Sequence, residues 1–281
     1  MDKMVIIDGH NLLFRMFYGM PNKIYSKNGK CIHGLIGFVG SINKVIKEYN
    51  PKDLIVVFDS QQVSAKFDDE IYKKNRIMDF SHLPDDENPF SGFDDIIKAL
   101  DLIRITHIEI PYQEADDIIC SIAKQSQENN EVIIVSTDKD FFQVLSNKIS
   151  VLSPRGKLSI LYTPEVFHQK YDIQVNQYID FKALTGDPSD NINGVKGIGN
   201  KTASSLLTQY TSIKGIYENL DKLTPRIRRL LSDESEKLKK NIDLLKINSD
   251  IDINLNLYDS KFHKVWKTRD IVDRVIEDDQ T

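Results

Sequence analysis

The first 180 residues alternate short β-branched runs with stretches of helical periodicity. The runs are Met4–Ile7, Leu54–Phe58, Ile108–Ile110 and Val132–Val135, with weaker ones near Ile149–Leu152 and Leu158–Leu161. Between them, apolar residues recur at the spacing of one buried helix face, as they do from Leu35 to Ile46. Continuous apolar strands are typical of parallel sheets that helices cover on both sides. The alternation therefore predicts an α/β core with a mainly parallel central sheet.

Strand patterns fade after about residue 180, and helical patterns dominate there, most clearly over Ala203–Gln209 and Arg226–Leu245. The segment 60–93 also interrupts the alternation, because it is polar, contains Pro84 and Pro89, and is longer than a compact connection requires. A chain of 281 residues is long enough for two domains. We expect a sheet domain over residues 1–180, with a functional connection at 60–93, and a helical domain over 181–281.

Three of the predicted strands lead directly into aspartates. Asp8 and Asp59 each follow a strand, and Asp138 and Asp140 come just after Val132–Val135. Because the carboxyl ends of parallel strands meet at one edge of a sheet, these side chains are expected to share a ligand crevice. Two further acidic groups stand at predicted helix starts or turns. The nine carboxylates in these groups are Asp8, Asp59, Glu114, Asp116, Asp117, Asp138, Asp140, Asp187 and Asp190.

Each of these acids also has a purely local interpretation. Aspartate after a strand is common turn chemistry, and Asp116, Asp117 or Asp190 could cap helices. Taken together, however, crowded carboxylates repel one another and require protons or cations. A cluster without Cys or His favours hard divalent ions such as Mg²⁺ or Mn²⁺. Two such ions, about 3.5–4 Å apart, promote in-line displacement at phosphorus, so phosphodiester hydrolysis is the leading prediction.

The formal net charge of −5 argues against a polyanionic partner until the acidic cluster is considered separately. Without its nine acids, the chain has 37 basic residues against 33 acidic ones, which is compatible with nucleic acid. The two cysteines, Cys31 and Cys120, form neither a disulfide framework nor a zinc motif. There is no apolar run long enough for a membrane span, and the start does not resemble a signal peptide. We therefore expect a cytoplasmic protein without a membrane partner.

A glycine-rich segment at 194–202 has the pattern Gly-x-x-Gly-x-Gly. It differs from a P-loop by one residue, because Asn200 separates Gly199 from Lys201, and no strand precedes it. Between two helices the pattern resembles a helix-hairpin-helix, in which glycines let backbone N–H groups approach a DNA phosphate. The alternative is a tight turn that only joins two helices. Lys196 lies close enough to add positive charge.

Seven short motifs occur in the order found in one nuclease family. They are Ile7-Asp8-Gly9, Phe58-Asp59, Tyr72-Lys73-Lys74-Asn75-Arg76, Glu114-Ala115-Asp116-Asp117, Ser136-Thr137-Asp138-Lys139-Asp140, Gly186-Asp187-Pro188-Ser189-Asp190-Asn191 and the glycine segment. Over about residues 4–250 the chain resembles the bacterial and phage 5′ nucleases, which include flap endonucleases and the 5′-3′ exonuclease domain of DNA polymerase I. Because no polymerase segment follows, it resembles the stand-alone form.

The resemblance implies a PIN-like nuclease core, a helical arch over the site at about 60–93, and a helix-three-turn-helix element at about 186–215. It also implies a structure-specific 5′ nuclease of DNA replication and repair. Such an enzyme cleaves 5′ flaps on branched or nicked duplex DNA and acts as a 5′-3′ exonuclease. The implied cofactors are two Mg²⁺ ions, for which Mn²⁺ substitutes, and a K⁺ ion at the helix-hairpin-helix. We expect a monomer.

By the family pattern, each candidate residue receives a role. The first metal would be held by Asp8, Asp59, Glu114 and Asp116, and the second by Asp138, Asp140 and Asp187. Asp117 and Asp190 would assist one or other site. Lys73 and Arg76 would contact the scissile phosphate and offset charge in the transition state. The implied DNA contacts are Phe14, Arg15, Lys66, Lys73, Arg76, Lys196, Gly197, Gly199 and Lys201.

The sequence departs from the family around the arch. Lys66 stands where an arginine is usual, and a proline-rich stretch after Arg76 is absent. Arginine and lysine differ at a bidentate phosphate contact. Two other functions remain open at this point. One is a non-catalytic protein that binds branched DNA. The other is a haloacid-type phosphatase, suggested by the Asp138-Lys139-Asp140 pair, although that chemistry uses the leading strand, where Gly9 and His10 follow Asp8.

Overall fold

A six-stranded sheet forms the centre of the first part of the chain. The computed structural model describes residues 1–60, 80, 82–254, 262 and 266–278. The strands are β1 (Asp2–Asp8), β2 (Asp53–Val57), β3 (Thr106–Ile108), β4 (Asn130–Val135), β5 (Ile149–Ser153) and β6 (Ile160–Tyr162). Their order is β3-β2-β1-β4-β5-β6, with β6 antiparallel to β5 and every other neighbouring pair parallel. The predicted, mainly parallel sheet is confirmed.

Helices cover both faces of this sheet. They include α1 (Gly9–Gly19), α2 (His33–Tyr49), α3 (Phe93–Leu102) and α4 (Ala115–Ser126). Successive strand residues point to opposite faces, so in β1 Val5 and Ile7 pack with α1, α2 and α3, whereas Met4 and Ile6 pack with α4. All four β1 side chains are nearly inaccessible to solvent, which explains the uninterrupted apolar run in the sequence.

After β6, the regular elements of the described residues are helices and one very short hairpin. The α-helices are α5 (Pro164–Tyr171), α6 (Tyr178–Thr185), α7 (Asn200–Tyr210), α8 (Ile213–Glu218), α9 (Pro225–Leu231), α10 (Ser235–Leu245) and α11 (Thr268–Asp278). The hairpin strands β7 (Gly186–Asp187) and β8 (Ile192–Asn193) lie between α6 and α7. None of the helices in the described ranges is long and apolar enough to cross a bilayer.

The last helix returns to the first part of the chain. Ile271, Val272 and Val275 of α11 are buried in the same core as α2 and α3. The Asn43 side-chain amide donates a hydrogen bond to Thr268 Oγ1 at 3.0 Å. The domain boundary predicted at residue 180 remains a prediction, but α11 packs on the sheet domain rather than on the helices that precede it.

Two element predictions differ from the structure. The run predicted as a strand at Ile108–Ile110 forms its strand two residues earlier, because Thr106 and His107 pair with Ile55 and Val56 of β2. The helical stretch Arg226–Leu245 is two helices, α9 and α10. The buried residues Leu231, Leu238 and Leu245 follow one another at seven-residue spacing, so the apolar periodicity continues through the break and conceals it.

Candidate metal centre

Asp8 lies at the end of the central strand β1 and is buried. Its Oδ1 accepts a hydrogen bond from the Asn11 N–H at 3.0 Å and so caps α1, while its Oδ2 accepts one from Ser136 Oγ at 2.8 Å. Burial raises the pKa of Asp8 to about 7, and the neighbouring charges of Asp59 and Asp138 act in the same direction. Ends of β1, β2 and β4 therefore place three carboxylates within electrostatic reach, as the sequence predicts.

Asp59 joins this group from the end of β2. Its Oδ1 accepts a hydrogen bond from the Ala115 N–H at 2.8 Å, at the first residue of α4. This bond brings the start of α4 to the carboxylate edge. Glu114 and Asp116 flank Ala115, so the structure places the fourth predicted acidic group beside Asp59.

A second group of acids lies next to the first. Asp140, Asp187 and Asp190 each offer a carboxylate oxygen, and these oxygens lie within 4.8 Å of one another. Asp140 follows β4, whereas Asp187 and Asp190 come from the hairpin after α6. The sheet domain and the helical part thus both contribute to one potential ligand set. Asp138 connects the two groups, because its Oδ1 accepts a hydrogen bond from the Asp140 N–H at 2.9 Å and its charge acts on Asp8.

A buried lysine lies against the second group. Lys182 of α6 forms ion pairs with both Asp140 and Asp187. Burial raises the pKa of Asp140 to about 6 in spite of this lysine. At Asp187, burial also opposes ionisation, but Lys182 and the hydrogen bonds from Ser189 outweigh it and hold the pKa below its usual value. The ammonium group shows that the Asp140–Asp187 pair accommodates a positive charge.

An open cavity of about 400 Å³ lies beside the acids that follow β4 and α6. Asp138, Asp140 and Asp187 line one part of it, together with Asn11. The aromatic residues Tyr171, Tyr178 and Phe181 and the two lysines Lys139 and Lys182 also line it. A cavity of this size accommodates a phosphate group and its cations next to the carboxylates.

Asp117 has a different environment from the other predicted ligands. It is 2% exposed, and its Oδ1 accepts a hydrogen bond from the Asn248 N–H at 2.9 Å. This contact ties the chain after α10 to α4. Burial is the main reason that the pKa of the neighbouring Cys120 thiol is raised, and the negative charges of Asp116, Asp117 and Asp140 raise it further. Asp117 is therefore near the cluster, and its hydrogen bond to the Asn248 backbone has a structural role.

Four residues of this centre were not among the predicted ligands or DNA contacts. Asn11 Oδ1 accepts hydrogen bonds from both N–H and Oγ1 of Thr137 at 3.0 Å each, and so fastens the loop after β4 to α1. Ser136 donates to Asp8, Lys182 pairs with two acids, and His10 contacts Asp59. All four stand within five residues of a predicted acid in the sequence, which is the only signal that could have found them.

The predicted DNA contacts on α1 have separate surroundings. The Phe14 ring packs among Tyr18, Phe80 and Phe90, with centroid separations of 5.4–6.2 Å. Arg15 lines a different cavity of about 220 Å³ together with Lys44, and its Nε is buried with no hydrogen-bond partner among the residues that the structure describes. Lys66, Lys73 and Arg76 lie outside the described residues.

The glycine segment forms a tight connection between α6 and α7. Gly186 and Gly197 have φ values of +85° and +92°, which favour glycine. At Gly194 a Cβ atom would lie 2.3 Å from the backbone carbon of Thr185, so this close approach also requires glycine. Gly199, by contrast, faces open space just before α7. Lys196 and Lys201 are exposed on either side of it.

Comparisons with known families cover nearly the whole chain. Residues 3–172 match the model of the 5′-3′ exonuclease N-terminal resolvase-like domain, and residues 173–268 match that of the 5′-3′ exonuclease C-terminal SAM fold. The chain belongs to the 5′-3′ exonuclease family. The predicted family and fold class are confirmed, and the family match favours the nuclease prediction over the phosphatase alternative.

Relatives of this chain include thermostable DNA polymerase I of Thermus thermophilus, which is 36% identical over 259 residues. That match covers 91% of this chain and 30% of the polymerase, and DNA polymerase I of Caldicellulosiruptor bescii is 33% identical over 98% of this chain. The chain thus spans about a third of the length of these relatives.

Solved structures share the fold of this chain. The T5 D15 protein co-crystallised with metal ions superposes with a TM-score of 0.71 at 24% identity, covering 98% of this chain and 97% of that one. The catalytic core of Rad2 in complex with DNA substrate gives 0.62 at 15% identity, covering 99% and 87%.

Proposed function

We propose that the protein is a structure-specific 5′ nuclease that hydrolyses DNA phosphodiesters with two divalent metal ions. The observation that carries this proposal is the convergence of Asp140, Asp187 and Asp190, with oxygens within 4.8 Å, beside the Asp8–Asp59–Asp138 group. The proposed metal ligands are all carboxylates, a donor set that suits Mg²⁺, with Mn²⁺ as a substitute. The two ions would supply the positive charge that activates water and stabilises the leaving oxygen.

Within this proposal, the acids divide between two ions. Asp8, Asp59, Glu114 and Asp116 would hold the first, and Asp138, Asp140 and Asp187 the second. The short distances to Asp190 support a place for it in the second set, whereas Asp117 would act by supporting α4. The elevated pKa of Asp8 fits this role, because burial has already made the uncompensated carboxylate unfavourable and a cation would relieve that cost.

The chain's other groups would bind and orient the DNA. Phe14 would stack on a terminal base and Arg15 would contact a phosphate, with Lys66, Lys73 and Arg76 acting near the scissile phosphate. Lys196, Gly197, Gly199 and Lys201 would grip one strand of the duplex through its phosphates, with K⁺ at the hairpin. The open space at Gly199, at the start of an 11-residue helix, supports close approach of a phosphate there. The proposed substrate is 5′-flap or nicked DNA, and the proposed enzyme is a monomer. Because these contacts go to phosphates, we expect little sequence preference.

An end-labelled 5′-flap duplex tests the proposal. We expect cutting at the junction with Mg²⁺ or Mn²⁺ and none with EDTA. Asp138→Asn should reduce the cleavage rate by about 100-fold or more, because removing a metal-bound charge weakens a site on which the rate depends. Asp233→Asn is the matched control, since it removes one exposed acid outside both groups. Full activity of Asp138→Asn, or cutting in EDTA, would refute the metal mechanism, and tight binding without cutting would identify a non-catalytic DNA-binding protein.

A further inference from the structure

The backbone of Asp59 is held by a histidine that follows Asp8 in the sequence. The Phe58 N–H donates to the Ile108 carbonyl at 2.8 Å and so completes the pairing of β2 with β3. The next N–H, that of Asp59, donates instead to Nδ1 of His10 at 3.1 Å. Because Nδ1 accepts this hydrogen bond, the neutral ring carries its hydrogen on Nε2. Asp59, the second residue beyond β2, is thus anchored to α1.

The ring of His10 is itself fixed by packing. It stacks on Phe93 with centroids 5.7 Å apart and an interplanar angle of 21°. Phe58 and Phe90 meet it edge-on at 5.4 and 5.5 Å. Three aromatic neighbours leave the ring little freedom, so Nδ1 is a rigid acceptor. A rigid acceptor is what a supporting group needs if it is to orient a ligand side chain.

Asp59 needs such support more than the other strand-end acids do. Its side chain is 49% exposed, whereas Asp8 is buried and accepts two hydrogen bonds. The Ala115 N–H fixes Asp59 Oδ1 at 2.8 Å, and Oδ2 lies 3.4 Å from His10 Nδ1. Because Nδ1 accepts from the Asp59 N–H, it has no hydrogen to donate to Oδ2; α4 therefore holds the carboxylate itself, and His10 of α1 holds the backbone that carries it. A group that orients a metal ligand without touching the metal strengthens metal binding, because the ligand side chain then loses less conformational freedom when the metal binds.

We propose that His10 is a positioning residue, which orients Asp59 for metal binding through the acceptor atom Nδ1. This inference rests on the proposed function, because it takes Asp59 as a ligand of the first metal. It assigns the role to one atom of the ring rather than to the ring's packing. Two substitutions separate these contributions. His10→Asn keeps an acceptor oxygen at the position of Nδ1 and removes the ring, while His10→Phe keeps an aromatic ring and removes the acceptor.

Titration of the purified proteins with Mn²⁺ alone, followed by calorimetry and by the electron paramagnetic resonance signal of free Mn²⁺, tests the inference. We expect His10→Phe to weaken one Mn²⁺-binding step by about 10–100-fold, the range for groups that orient metal ligands. Asp59→Asn should weaken the same step. His10→Asn should stay within about 3-fold of the wild type. In flap cleavage, high Mg²⁺ should restore the rate of His10→Phe without a change in KM for DNA.

The outcomes distinguish the inference from the proposed function. If the wild-type protein binds no Mn²⁺, the metal mechanism itself fails. If wild type binds Mn²⁺ and Asp59→Asn weakens it while His10→Phe does not, the role of His10 is refuted. Weakening by His10→Asn with normal binding by His10→Phe would assign the effect to ring packing and would also overturn the inference. Thermal unfolding of each variant confirms that it is folded before titration.

Discussion

Asp8→Asn should remove a pH-dependent loss of stability from the metal-free protein. The folded pKa of Asp8 is about 7 against 3.8 for an unperturbed aspartate, because the side chain is buried. A raised folded pKa means that the native state retains a proton which the unfolded chain releases. The resulting stability is fully present below about pH 4 and is lost as the pH rises through about 7. The whole shift of about 3 pKa units corresponds to about 4 kcal/mol.

Most of that loss falls in an accessible range. Between pH 5 and pH 8 the wild-type protein should lose about 3 kcal/mol from Asp8 alone. In a chain of this size that is a fall in Tm of about 6–12 °C. Asparagine cannot ionise, so the Tm of Asp8→Asn should lack this part of the dependence on pH. Asp140, with a pKa of about 6, contributes equally to the pH dependence of both proteins.

Thermal unfolding in EDTA at pH 5, 6, 7 and 8 measures this difference. Asp233→Asn, an exposed acid, serves as the control and should follow the wild type. Adding Mn²⁺ at pH 8 should raise the Tm of the wild type more than that of Asp8→Asn, because only a ligand that binds the native state stabilises it. Equal pH slopes for the wild type and Asp8→Asn would show that burial of Asp8 does not impose the cost argued here.

Three further predictions concern the second acidic group and the hairpin. Lys182→Met should lower the Tm of the metal-free protein at pH 8 and tighten Mn²⁺ binding, because it removes the cation between two acids. Lys27→Met, at an exposed position away from the acids, should change neither. Unchanged Mn²⁺ affinity in Lys182→Met would contradict the geometry. Gly194→Ala should destabilise the protein by about 3 kcal/mol or more through its backbone clash, whereas Gly199→Ala should leave the Tm unchanged and weaken DNA binding; equal Tm values would refute this contrast. DNA affinity should fall steeply with salt, and Lys201→Ala should reduce the slope of log K against log salt by about one, as loss of one phosphate contact requires; an unchanged slope would exclude that contact.

The sheet and its acidic edge could be predicted from the sequence for a simple reason. Parallel strands buried on both faces are continuous apolar runs, so their positions are visible to within two residues, and acids that follow them must gather at one edge. The aspartates at residues 8, 59 and 138 illustrate this, since only the strand direction is needed to bring them together. Asp187 and Asp190 were predicted as an acidic turn before a helix, but the pattern did not show that they meet Asp140; the packing of α6 against the sheet domain brings them there.

The supporting residues could not be predicted in this way. The contact of Asn11 with Thr137 depends on β1 lying directly beside β4, with Ile7 opposite Val135, and neither the strand order nor the register follows from residue patterns. The burial of Lys182 could not be predicted either, because a lysine on a helix is ordinarily assigned to the surface. Its burial arises only when two acids from distant segments lie close enough to neutralise it.

The return of α11 to the sheet domain affects how the protein can be divided. A fragment ending before residue 268 would keep every predicted ligand and the glycine segment, yet it would uncover the apolar surface of α2 and α3 that Ile271, Val272 and Val275 shield. Exposed apolar patches of this kind promote self-association. A shortened version designed around the catalytic machinery alone would therefore be prone to precipitate, and polar replacements on the newly bared faces of those two helices would be the remedy.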